Sequence, residues 1–289
     1  MAKTPGARCG QPCQRVVMAD DSFFRQLDDE RFQSTQWTRG PWHPEHQHAG
    51  PPSALVAGRL AEGLDAPFRV VRVAVEVTRP VPIGPLRLAR AVRRDGRNVK
   101  AIAGMLYDGA DKLVLSAEVL AIAEAAVRVD PQPPPMDEPT PEQSDAVDFP
   151  FFTKSEPCYA SAMELRFGRG AFGVGDVMGW MRTRIPLLAG RVPTPLERVM
   201  LAADSGNGIS QRIDIRKFTF LNADLTVTLQ RPAEGDWVGM AARTDLDTRG
   251  IGVADTRLYD AQGPIGRGIQ TLLVRERGQS PPRTNSERR

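Results

Sequence analysis

Cysteine, histidine and lysine are all scarce in this chain of 289 residues. Its three cysteines, Cys9, Cys13 and Cys158, cannot close a disulfide framework, and two of them lie in the first 19 residues. Cys9 and Cys13 approach zinc-ligand spacing, but no second pair and no later histidine pair completes a set, so no metal is expected. Lysine occurs only at 3, 100, 112, 154 and 217, so most of the 38 basic residues are arginines. They are scattered among acidic residues at a net charge of +3, unlike the single basic face with interleaved aromatics of a nucleic-acid binder. No nucleic-acid partner is expected. Long apolar runs are missing too: nothing approaches the roughly 18 residues that cross a bilayer, and Met1 to Ala19 lacks the apolar core of a secretory signal. The expected location is the cytoplasm, away from membranes. Gly168, Gly170, Gly173 and Gly175 lack the strand, helix and lysine of a phosphate-binding loop. No cofactor is expected.

What the chain does contain is a copy of itself. Arg79-Pro80 recurs as Arg231-Pro232, Arg97 as Arg249, and Leu106-Tyr107-Asp108 as Leu258-Tyr259-Asp260, each at an offset of 152. Three anchors in one ungapped register point to internal duplication.

Both halves show the same plan. Phe68 to Val81, Leu86 to Arg94, Val99 to Tyr107 and Leu113 to Ile122 are β-branched and apolar runs broken by proline, Asp95-Gly96 and Asp108-Gly109, which predicts antiparallel strands joined by tight turns. Lys217 to Arg231, Trp237 to Leu246, Gly250 to Tyr259 and Gly266 to Arg275 repeat the pattern. A helix precedes each meander: one after Pro51-Pro52, the other from Pro195 to Asp204, stopped by Gly206 and Gly208. An antiparallel sheet covering one apolar helix implies an α+β sheet wrapped around that helix. The expected organisation is a disordered tail (1–19), a first module (20–129), a proline-rich extended linker (130–157), a second module (158–277) and a second tail (278–289).

With these elements placed, the residues resemble the acyl-CoA thioesterase II family, whose members are double hotdogs. The resemblance is carried by Gln47-His48-Ala49-Gly50-Pro51-Pro52, Thr78-Arg79-Pro80, Ala202-Ala203-Asp204, Asn222-Ala223-Asp224, Gln230-Arg231-Pro232 and Gly268-Ile269-Gln270. It implies two tandem hotdog modules, an acyl-CoA substrate, water-mediated thioester hydrolysis, and association into a dimer of double hotdogs. It also implies a catalytic trio in the second half: Asp204 as general base, Gln270, and Asn222 where the family carries a hydroxyl residue. His48, Gly50 and Arg231 are expected to contact substrate.

Three other readings bear on the site. A thioester carbonyl needs a nucleophile, and no Ser or Cys motif with a base is present, so water is the expected attacker. Subtracting the offset from 204, 222 and 270 lands on Pro52, Val70 and Glu118, so the first module is expected not to repeat the trio. His43, His46 and His48 cluster before the first helix, with three readings open: loop structure, a role near the thioester, or metal. A hotdog hydratase would need a His/Asp pair at the helix, and no histidine follows His48. An acyl-thioester-binding protein with little turnover is the other alternative.

Overall fold

The computed structural model describes residues 21–129, 136–150 and 156–278. The predicted tail over 1–19, Cys9 and Cys13 within it, and most of the tail after 277 lie outside these residues. Fourteen strands are named in chain order: β1 (Phe24–Gln26), β2 (Arg31–Ser34), β3 (Phe68–Val77), β4 (Pro85–Asp95), β5 (Val99–Asp108), β6 (Leu113–Ala123), β7 (Asp145–Val147), β8 (Met163–Arg169), β9 (Asp176–Thr183), β10 (Phe218–Asn222), β11 (Asp224–Leu229), β12 (Val238–Asp247), β13 (Ile251–Asp260) and β14 (Gly263–Glu276). Four helices accompany them: α1 (Gly50–Ala61), α2 (Tyr159–Ala162), α3 (Pro195–Ala203) and α4 (Gly206–Ile209).

All fourteen strands join one antiparallel sheet in the order β1-β2-β4-β5-β6-β3-β11-β14-β13-β12-β9-β8-β7, with β10 also on β14. β3 and β11 form the seam between the halves, and their register is symmetric about the pair Ala74 and Thr226, two positions 152 apart. Val75 faces Leu225 and Val73 faces Val227 across it. The duplication therefore appears in space as a pseudo-twofold axis through the seam. β13 alternates exposed and buried residues along most of its length, as a strand with one wet face must. The left-handed turn at Gly250 returns the chain from β12 to β13, a backbone conformation that glycine adopts without a Cβ clash.

The helices fill the concave side. α1 is buried from Gly50 to Leu60, as expected of a helix apolar on every face, and Pro51 and Pro52 occupy its first turn, where no donor is missed. α3 starts with a capping box in which the Thr194 hydroxyl accepts the Glu197 amide and the Glu197 carboxylate accepts the Thr194 amide. The two run antiparallel. A Cβ on Gly50 would lie 2.8 Å from the Leu201 carbonyl oxygen, and one on Gly58 would collide with Glu197. Glycine permits the close approach.

Several expectations need correction. Asp145–Val147 of the supposed linker pairs with β8 as an edge strand, and the Trp180 indole donates to the Pro139 carbonyl at 2.8 Å. Proline is compatible with a sheet edge, where ladder donors are not required. The PQPPP run at 131–135 lies outside the described residues. Hairpins β1–β2 and β8–β9, neither read as part of the four-strand plan, extend the sheet at both ends. The run from Lys217 to Arg231 divides at Ala223, between β10 and β11. Gly206 does not end helical structure, because Gly206–Ile209 forms one more turn. The Gln270 side-chain oxygen accepts the otherwise orphaned Asn207 amide at 3.0 Å, and the Gly206 carbonyl accepts both the amide of Ser210 and, at 2.7 Å, its hydroxyl.

The strands keep the 152 offset and the helices do not. Residues 62–67 join α1 to β3, whereas 204–217 join α3 to β10. Pro52 is therefore not the counterpart of Asp204; the residue that caps the end of α1 is Glu62. Val70 remains the counterpart of Asn222, because β3 is irregular between Val70 and Arg72 where the other half breaks at Ala223.

Candidate active site

α3 ends at Asp204, whose side chain is only 3% exposed. A buried carboxylate must find donors, and two reach it. The Asn222 amide donates to Oδ1 at 2.7 Å, and His48 Nδ1 lies 3.0 Å from Oδ2. Asn222 is positioned by the break at Ala223, where β10 hands over to β11 on the same partner strand; such irregularities re-aim side chains beside active sites. His48 arrives on the loop that precedes α1.

Burial is the main influence on His48 and pushes its pKa below the usual 6.5, while the Asp204 carboxylate pulls the other way. The imidazole is neutral at pH 7, so its contact with Asp204 is a hydrogen bond and not an ion pair. A carboxylate only accepts, which puts the proton on Nδ1. The Gly50 amide also lies 3.1 Å from Nδ1. One ring nitrogen cannot donate and accept together, so this tautomer releases the first amide of α1 for another acceptor.

Tyr159, at the start of α2, completes the arrangement. Its ring stacks on His48 at 3.8 Å and 5°, its hydroxyl donates to the Leu201 carbonyl at 2.7 Å, and Ser205 Oγ lies 2.8 Å away. Burial raises its pKa, so it stays a neutral phenol. Tyr159 is not among the residues expected at the site. Nothing in its local sequence marks it; only the fold brings residues 48, 159 and 204 together.

These groups open onto a cavity of about 350 Å³ whose apolar wall includes Val77, Val81, Phe149, Phe220 and Leu273. Trp42 meets Phe220 edge-on at 5.3 Å, and Arg79 is an exposed lining residue. Of the expected trio, Asp204 and Asn222 touch. Gln270 stands behind them: its amide donates to the Asp204 backbone carbonyl at 3.1 Å and its oxygen accepts the Asn207 amide. It contacts the backbone of Asp204 and not the carboxylate. Among the expected substrate contacts, His48 lines the cavity and Gly50 adjoins His48. Arg231 does not. Its guanidinium is committed to Asp260, which is fully buried, and donates to the Gly263 carbonyl at 3.0 Å. The buried carboxylate needed a charge partner, and that need claims Arg231.

The histidine reading also changes. No histidine follows His48 in sequence, yet the fold supplies a His/Asp pair by bringing the loop before α1 to the end of α3. His43 and His46 contact each other, with ring centroids 4.4 Å apart. Among the described residues no group of three or more His, Cys, Asp or Glu could hold a metal ion, and no helix is long and apolar enough to cross a membrane.

Solved structures share this architecture. A hot dog fold protein of unknown function from Alicyclobacillus acidocaldarius superposes with a TM-score of 0.71 at 12% identity, covering 92% of this chain and 100% of the other. A candidate thioesterase II from Thermobifida fusca YX gives 0.68 at 16%, covering 89% and 96%. The acyl-CoA thioesterase II of Mycobacterium marinum gives 0.60 at 13%, covering 91% and 98%. At these identities the likeness establishes the double-hotdog fold. No curated protein matches the chain. Its sequence matches the acyl-CoA thioesterase N-terminal domain over residues 38–129 and the acyl-CoA thioesterase C-terminal domain over residues 128–274. With both domains matched in order over most of its length, this double-hotdog chain belongs to the acyl-CoA thioesterase family.

Proposed function

We propose that this protein hydrolyses a fatty acyl-CoA thioester to the free acid and CoA, with water as the attacking group. The observation that carries the reading is a buried carboxylate, Asp204, held by two neutral donors at the head of an apolar cavity. Each Asp204 oxygen keeps a lone pair for water. Asp204 takes a proton as the water oxygen bonds to the thioester carbon, the carbonyl oxygen becomes an oxyanion, and the Gly50 amide at the α1 N-terminus donates to it. As the C–S bond breaks, Asp204 returns the proton to the departing thiolate. Asn222 and His48 orient the base, and Gln270 fixes the backbone that carries it. The acyl chain lies along Phe220, Val77 and Val81, and exposed Arg79 at the cavity suits the phosphates of CoA. Arg231 has no part in binding.

CoA release from a panel of short to long acyl-CoAs, run on the wild type and Asp204→Asn together, tests the proposal. Wild-type turnover of some chain length with a loss of about a hundredfold or more in Asp204→Asn supports it, the scale of removing a general base. Bound acyl-CoA with no release by either protein overturns it in favour of a thioester-binding protein. The His48–Asp204 contact favours one other reading, a hydratase, because acid–base chemistry on an enoyl group uses such a pair. Loss of enoyl absorbance without CoA release would identify that activity.

The protein is further proposed to be a cytoplasmic homo-oligomer, a dimer of double hotdogs. Ile251, Val253 and Ile269 support this as exposed apolar residues on one face of β13 and β14.

A further inference from the structure

We propose that a second cavity, at the opposite end of the α1/α3 pair, binds an acyl chain without hydrolysing its thioester. The inference rests on the reading of the first cavity as an acyl site. The second measures about 310 Å³, beside about 350 Å³ for the first. Its apolar wall includes Leu64, Phe68, Val70, Leu196, Leu229 and Ala233.

The pseudo-twofold axis through Ala74 and Thr226 relates the strand-borne walls of the two cavities. Val77 and Val81 of the first correspond at the 152 offset to Leu229 and Ala233 of the second. Phe220 and Asn222 correspond to Phe68 and Val70. The start of α1 and the end of α3 close the first cavity, and the start of α3 and the end of α1 close the second. Val77, Val81 and Phe220 all remain apolar in the copy, so the space still matches an alkyl chain.

The reactive groups do not survive the exchange. Glu62 ends α1 as Asp204 ends α3, but it is ion-paired to Arg59 and, at 2.7 Å, to Arg191. Those cations hold its electrons away from a water molecule. Val70, standing where Asn222 stands, has no donor to offer. All three histidines belong to residues 43–48, beside the first cavity. An apolar wall with a neutralised acid and no imidazole binds a chain and leaves its thioester intact.

Equilibrium dialysis of the full chain with the non-hydrolysable dodecyl thioether of CoA counts the sites directly. Two equivalents per chain are expected for the wild type, and one for Val70→Trp and for Leu64→Trp, whose indoles fill the second cavity. CoA release should stay within about twofold of wild type in both variants, since sites without shared partners act independently. Circular dichroism of each variant confirms that it folds. A single equivalent in the wild type overturns the second site, and so does a second equivalent that persists in both tryptophan variants. Stoichiometry decides the second cavity and CoA release decides the hydrolytic reading, so each can fail without the other.

Discussion

Asp204, at the end of α3, is reached by side chains from two separate stretches of chain: the β10–β11 break that carries Asn222 and the loop that carries His48. Its environment sets a pH dependence through His48. That imidazole binds a proton less readily in the fold than in an unfolded chain, mainly through burial. As pH falls below about 6.5 the unfolded chain takes up a proton that the native protein refuses, so stability is lost on acidification and retained above that value. Urea denaturation of wild type and His48→Phe between pH 7.5 and 5.5 should show the wild type weakening as pH falls. That component should be missing in the variant, which keeps the stack on Tyr159 but has nothing to titrate. A slope unchanged by the substitution would remove His48 as its source. His48→Phe should also lower turnover by about tenfold or more, because Asp204 loses one of its two orienting donors; CoA release checks this.

At the scale of elements, the arginine that recurs in both halves does different work in each. Arg79 is exposed at the candidate site, whereas Arg231 clamps the turn between β13 and β14 to the end of β11. Burial alone would raise the pKa of Asp260, but Arg231 and the amides of Glu234 and Gln262 outweigh it and hold the carboxyl below its ordinary value. Arg231→Met leaves that carboxylate buried with its charge partner gone. The expected cost is about 3 kcal/mol, at the lower end for a broken buried pair because the arginine itself is partly exposed. Urea midpoints measure it, and CoA release should be little changed under conditions where the variant is folded. A drop in affinity for acyl-CoA at unchanged stability would return Arg231 to the substrate. The recurrence of Arg-Pro revealed the duplication but could not distinguish the two fates. Nothing near Arg231 in sequence signals that Asp260, 29 positions on, is buried without another cation.

Across the whole molecule, the symmetric β3–β11 seam makes one chain equivalent to a hotdog dimer. Further assembly has to use another surface, and the exposed face of β13 and β14 is the apolar one named above. Sedimentation velocity should give a dimer for the wild type and a monomer for the double substitution Ile251→Glu, Val253→Glu, whose charges cannot be buried against a partner. A dimer in both would move the interface elsewhere.

By itself the sequence determined the duplication, the strand pattern, the two helices, the fold class and the candidacy of Asp204, Asn222 and His48. The first four follow from local periodicity, proline and turn chemistry, or a repeated string, and the candidacy of the site residues follows from the family resemblance that those strings carry. Only the tertiary structure decided the partners: His48 and Tyr159 at Asp204, Gln270 behind it, Arg231 at Asp260, and the edge strand hidden in a proline-rich segment. Chain spacing does not record which buried polar group lacks a partner, and satisfying each of them is what the packed fold decides.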